Sequence, residues 1–279
     1  MIDICTVVFE EEIPILKIQA ESVGMFCQSI GVRNIYVVLN DVETLSEKID
    51  PAWWGPLASS VLIVPRTTFS TQWVDDGWLS QQLWKLLAAS ISYNHFTMVL
   101  DAKTILTKPI NVPQLFDSQG RLMAGRIPVQ EVFAQSKQIV EQLFDIKMTE
   151  QLGPGGVPYF FHNDTVRALI SDVTFKVRES FPTWFQKQGV LTEYLLYSGY
   201  VQFKYESLDS LYGLSSGVAP RNLCHSDMHQ ADKLFEQFKH PEVTSVGIHR
   251  KAWQQLTPAQ KTQYRMLLID RGIVSAWDL

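Results

Sequence analysis

Phe96-Thr97-Met98-Val99-Leu100-Asp101-Ala102-Lys103-Thr104 is an apolar, β-branched run that ends abruptly in a carboxylate. A run of this kind, without polar alternation, fits a strand buried on both faces of a parallel sheet. Open α/β sheets bind ligands outside the carboxyl ends of their strands, which makes Asp101 the first candidate site residue. The segment before it carries Leu79, Leu83, Leu86, Leu87 and Ile91 at helical spacing. Gln81 and Lys85 fall one turn apart on that helix, on a face that can be polar.

Working outward, the same rhythm repeats. Residues 3–9 are a short apolar run suited to an interior strand, followed by Glu10, Glu11 and Glu12. Leu16 to Ile30 has a helical pattern through Ile18, Val23, Phe26 and Ile30, with Gly31 placed as a C-cap. Residues 34–39 and 61–64 read as two more strands, the first ending in Asn40-Asp41 and the second stopped by Pro65. Asp75 or Asp76 can cap the helix of Gln81 and Lys85. Crossovers longer than the ~12-residue minimum point to an α/β chain with a mostly parallel central sheet flanked by helices.

The second half is less regular. Residues 132–144 read as a helix, and Gly153 to Pro158 as a turn leading into Tyr159-Phe160-Phe161. Asn163 or Asp164 is placed to cap a helix carrying Val166, Leu169, Ile170 and Val173. Thr192 precedes a short aromatic helix expected to end at Gly199, with a strand around 201–205 after it. A helix near 229–239 and a strand near 243–248 follow. Thr257-Pro258-Ala259-Gln260 has the form of a capping box and opens a closing helix through Leu268. No repeat or low-complexity linker divides the chain, so one domain is expected over 1–279.

Composition narrows the function. Hydrophobic residues make up 46% and charged residues 19% of 279 positions, which excludes a disordered or collagen-like chain. The net charge is −5 and the 24 basic residues are scattered, so nucleic acid is not an expected partner. Cys5, Cys27 and Cys224 are odd in number and far apart, which suggests free thiols and a reducing compartment. With no signal-peptide pattern and no apolar run near the ~20 residues of a membrane span, a cytoplasmic protein without a transmembrane segment is expected. Peripheral association with a membrane stays open.

Strand, carboxylate and polar-faced helix together resemble the nucleotide-sugar site of type A (GT-A) glycosyltransferases. The chain is similar in particular to bacterial glycosyltransferase-like proteins linked to surface polysaccharides. The resemblance spans roughly residues 3–250 and sits on Phe9-Glu10-Glu11, on Gln81-x-x-x-Lys85 with Leu100 to Thr104, on Gly155-Gly156-Val157-Pro158 before the aromatic run, and on Thr192-Glu193-Tyr194-x-x-Tyr197. His249, after Val246-Gly247-Ile248, stands where many such enzymes place a late metal- or phosphate-contacting histidine.

The resemblance implies a role for each of several residues. Glu10, Gln81, Lys85, Asp101, Lys103, Gly155 and Gly156 would bind the donor, Glu193 would be the catalytic base, and Asp101 with His249 would hold a metal. Residues 1–110 would form a nucleotide-binding half and 111–279 an acceptor-side half. The reaction would move a hexosyl-type sugar from a nucleotide-sugar donor to a hydroxyl of a glycan or glycolipid precursor, as in polysaccharide biosynthesis. A departing nucleoside diphosphate gains negative charge, so a cation aimed at it lowers the barrier. These enzymes usually write Asp-x-Asp at the strand end, the second acid gripping a divalent ion such as Mn or Mg. Here Lys103 takes that position, which removes a hard oxygen ligand and adds a positive charge. Either the enzyme is metal-independent, with lysine replacing the ion, or the fold persists without transferase activity.

Plainer readings exist for several of these residues, and His249 next to Arg250 can be a surface residue. Asp101 can simply cap a turn, Lys85 can be a solvated helix residue, Glu193 can favour a helix N-terminus, and Gly155-Gly156 can serve backbone conformation alone. Trp53, Trp54, Trp73, Trp78 and Trp84 read as core or groove lining. Two rivals to an enzyme of this class remain: a non-catalytic protein of the same fold that binds a glycan or a partner enzyme, and a zinc hydrolase built on Cys224-His225-x-Asp227-x-His229-x-x-Asp232. The zinc segment lacks a second ligand pair such as Cys-x-x-Cys. No P-loop or Gly-x-Gly-x-x-Gly motif is present.

Overall fold

The computed structural model describes residues 1–40, 43–69, 77–153, 158–215 and 221–278. Its strands are β1 (Ile2–Val8), β2 (Val32–Leu39), β3 (Val61–Pro65), β4 (Phe96–Asp101), β5 (Thr104–Leu106), β6 (Leu122–Pro128), β7 (Glu150–Gly153), β8 (Tyr159–His162), β9 (Tyr212–Leu214), β10 (Arg221–Leu223) and β11 (Ser245–Ile248). The helices are α1 (Ile13–Phe26), α2 (Gly77–Ile91), α3 (Val112–Leu115), α4 (Ala134–Phe144), α5 (Asn163–Val177), α6 (Phe181–Lys187), α7 (Glu193–Tyr205), α8 (Ala231–Phe238), α9 (Arg250–Gln255) and α10 (Pro258–Asp270).

The central sheet has the order β3-β2-β1-β4-β8, parallel through its first four strands and closed by antiparallel β8. This is the expected α/β class with a mostly parallel sheet. The order reverses between β1 and β4, and Val7 pairs with Asp101, so both strands deliver their carboxyl ends to one crevice. Such a switch point is where open sheets take ligands. All of β1 and most of β2 and β4 are buried, which is why these strands read as continuous apolar runs.

After β4 the chain turns at Ala102 and Lys103 into β5, which pairs antiparallel with β11 of the C-terminal half. Buried Gln19 on α1 fixes that turn by donating to the carbonyls of Asp101 at 2.6 Å and Thr104 at 3.1 Å. Gly247 on β11 permits the close approach: a Cβ there would lie 2.9 Å from the Lys103 carbonyl oxygen. The far end of the sheet is tied by Asp3, which accepts from Asn34, Ser92 and Asn94.

Two expectations are corrected. Gly199 does not end a helix, and residues 201–205 are not a strand, since α7 runs unbroken from Glu193 to Tyr205. A Cβ on Gly199 would meet Val140 Cγ1 at 2.2 Å, so this glycine lets α4 pack against α7. Asn163 opens α5 but does not cap it, and neither does Asp164. The N-cap is His162, while the Asn163 amide donates to Ser92 Oγ and the Asn94 carbonyl, both at 2.9 Å. Asp41, Asp75, Asp76, Trp73, Gly155 and Gly156 lie outside the described residues, so the cap and the loop contacts expected of them do too. Cys5, Cys27 and Cys224 are free thiols, and burial pushes Cys5 up to about 12. Among the described residues no helix is long and apolar enough to cross a membrane.

Candidate active site at the end of the fourth strand

Asp101 closes β4 as that strand's one charged residue, and α2 and α7 bring two more charges to it. Lys85 projects from α2 and donates to Asp101 Oδ1 at 2.6 Å and to Glu193 Oε1 at 2.9 Å. Lys103, just past the strand, donates to Asp101 Oδ2 at 2.5 Å. Two carboxylates and two ammonium groups thus alternate from the floor of the site to its mouth. The Glu193 and Lys85 side chains are 0% and 3% exposed, whereas those of Asp101 and Lys103 are 31% and 20% exposed.

The sequence dictates most of this locally. Thr192 is the N-cap of α7 and accepts from the Leu195 backbone N–H, which sets Glu193 at the first helical position. Lys85 is one turn after Gln81, as the helical spacing requires, but its face of α2 is packed inward. Its ammonium lies 5.6 Å from the centre of the Tyr194 ring, and that ring in turn packs on Tyr159 at 4.1 Å. Asn40, at the end of β2, accepts from Trp84 Nε1 and Ser80 and donates to the Gly77 carbonyl, locking α2 to the sheet edge.

Electrostatics follow from burial and pairing. Burial alone would raise the Asp101 pKa, yet the adjacent Lys103 and Lys85 hold it well below the usual carboxylate range. Burial likewise opposes the charge on Lys85, and the carboxylates of Asp101 and Glu193 overcome it, so its pKa stands above the ordinary lysine value. Glu193 has the opposite outcome: burial dominates over Lys85, and its pKa is raised. Its second oxygen, Oε2, has no hydrogen-bond partner among the described residues.

The other expected residues lie around this row. Glu10 sits in the short turn after β1, half exposed and ion-paired with Lys48. Gln81 is half-buried on α2. His249 caps α9, its Nδ1 accepting from the Lys251 backbone N–H at 3.2 Å, and its ring lies 5.7 Å from that of His225. Burial, with the nearby Lys103, His225 and Lys251, holds the His249 pKa below its ordinary value. Beside Lys103 opens a cleft of about 320 Å³, lined also by Glu11, Glu12, Ile248, Arg250 and Trp253. Arg250 closes one side through an ion pair with Glu11. Asn40, Glu12, Arg250 and Trp253 were not singled out by sequence reasoning as site residues; strand-end or strand-following position was the available signal for Asn40 and Arg250.

A divalent cation needs several hard oxygen ligands. Both oxygens of Asp101 accept from ammonium groups, and Lys103 stands where a second acid would be needed. Among the described residues no group of three or more His, Cys, Asp or Glu side chains is arranged to hold a metal ion. Among the described residues, the donor set at this strand end does not fit a divalent ion through Asp101 and His249, and the segment 224–232 assembles no such set either.

Sheet order, switch point and strand-end acid agree with a GT-A-like fold. Among solved structures the galactosyltransferase LgtC, in complex with donor and acceptor sugar analogues, is similar with a TM-score of 0.50 and 11% identity, over 96% of this chain and 95% of that one. The glycosyltransferase GlyE of Streptococcus pneumoniae TIGR4 aligns at a TM-score of 0.43 and 11% identity, over 98% of this chain and 62% of its own. By sequence, residues 4–244 match DUF6492, a family of unknown function, and the chain belongs to that family. No curated protein matches it.

Proposed function

We propose that this protein transfers a sugar from a nucleotide-sugar donor to a hydroxyl of a glycan or glycolipid precursor. The observation that carries the reading is the row Glu193–Lys85–Asp101–Lys103, set at the switch point of a GT-A-like sheet. Asp101 contacts the donor ribose at the mouth, and Gln81 and Glu10 flank the nucleotide. Lys85 is a positioning residue, since its ammonium is spent on the two carboxylates. Glu193 takes the proton of the attacking hydroxyl. Its raised pKa suits that role, and Oε2, buried and without a hydrogen-bond partner among the described residues, is the oxygen left to accept the proton. Direct displacement with inversion follows from such a base, and the anomeric configuration of the product tests it.

The decisive experiment is turnover of UDP-, GDP-, CDP- and TDP-sugars, read as release of nucleoside diphosphate. Glu193→Gln is expected to lower the rate by ~10²–10⁴-fold, the usual share of a general base. A second reading is favoured by the depth of Glu193 and its ion pair to Lys85: a non-catalytic protein of this fold that binds a nucleotide sugar or glycan. Binding without turnover in wild type and variant alike would select it.

A further inference from the structure

Resting on the glycosyltransferase reading, we infer that the donor diphosphate is held by protein cations and N–H donors, Lys103 and His249 foremost, and not by a divalent metal ion. Three observations carry this. Asp101, the acid at the centre of the site, has both oxygens engaged by ammonium groups. A divalent ion on either oxygen would displace a lysine and face its positive charge at contact distance. Lys85 has nowhere to go, because it is buried and also neutralises Glu193.

Lys103 differs from Lys85 in accessibility. Its side chain is partly exposed and lines the cleft beside β11. It can leave Asp101 Oδ2 for a phosphate oxygen while Lys85 keeps Asp101 paired through Oδ1. Lys103 is therefore the cation that exchanges, and Lys85 the one that stays.

The tautomer of His249 points the same way. A metal-bound histidine coordinates through one bare nitrogen and donates the N–H of the other to a neighbouring acceptor. In His249 the pattern is reversed: Nδ1 accepts from the Lys251 backbone, so in the neutral ring the proton sits on Nε2. An Nε2–H group is a donor for a phosphate oxygen and has no lone pair for a metal. Burial, with the nearby Lys103 and His225, disfavours a second proton on this ring.

The test is isothermal titration of the full chain with UDP, GDP, CDP and TDP, in EDTA and in manganese. The affinity for the preferred nucleotide is expected to agree within about twofold between the two buffers. Lys103→Gln, which leaves Asp101 paired to Lys85, should weaken binding by at least about tenfold in both, as loss of a charge-assisted hydrogen bond does. Lys103→Asp rebuilds the Asp-x-Asp pattern and is expected to bind only with manganese. Circular dichroism and the unfolding midpoint show whether each variant is folded. Wild-type binding that tightens tenfold or more with manganese overturns the inference and leaves the transferase reading standing; so does Lys103→Gln binding as well as wild type. No nucleotide binding by folded wild type in either buffer overturns the transferase reading, and this inference with it.

Discussion

Lys85 is the residue on which the site's charge balance turns. It is buried between Asp101 and Glu193, so its removal leaves Glu193 without its counter-ion and Asp101 paired to Lys103 alone. Lys85→Met is expected to destabilise the fold by ~3–5 kcal/mol, the range for breaking one side of a buried ion pair, read from urea unfolding midpoints. Glu193 supplies a pH signature. Its folded pKa lies above the ordinary value, so the native state holds that proton more tightly than the unfolded chain. Its contribution to stability is therefore largest below about pH 4.3 and declines as pH climbs through the folded value. Asp101 has the opposite sign: its folded value is depressed, so its contribution is present above about pH 3.9 and disappears only on strong acidification. As pH rises above about 4.3, the stability of wild type relative to Glu193→Gln should fall. A relative gain would show that Lys85, and not burial, governs Glu193. Residue types and positions here were readable in the sequence. Their contact was not, because Lys85 meets an acid 16 positions away and another 108 away, and only packing turns its helix face inward.

At the scale of elements, periodicity succeeded wherever burial and local propensity agree. The four parallel strands of the central sheet, the helices around Leu83 and Val166, and the capping box at Thr257 and Gln260 all follow from short-range pattern. It failed at Gly199, where a local signal for a helix end was outweighed by a distant partner. Gly199→Ala would drive a methyl group into Val140 and Met148. An overpacking penalty of ~1–3 kcal/mol is expected, measured by thermal or urea unfolding, with the helix content retained. Had the glycine been a terminator, alanine would instead have lengthened the helix at little cost. Asn163 failed for a related reason, since its amide is drawn to Ser92 and Asn94 across the molecule and away from its own helix end.

At the scale of the whole molecule, the two halves are stitched through the site itself. β4 takes β8 as its neighbour and β5 takes β11, so the chain around Asp101 is completed only by residues from the second half. We therefore propose one cooperative domain, and a fragment of residues 1–110 is expected not to fold alone. Circular dichroism and the lack of a cooperative unfolding transition in the fragment would verify it, and a native-like transition would refute it. The sequence by itself determined the parallel α/β core, the acid at the end of β4 and the lysine two positions later, because strand burial and helix period are local in the chain. Tertiary structure alone decided that this acid is held between two lysines, that Glu193 lies beneath them, and that His249 turns its Nδ1 to a backbone N–H. Those outcomes depend on which distant helices meet at one sheet edge, and low-dielectric surroundings then fix which charges can persist there.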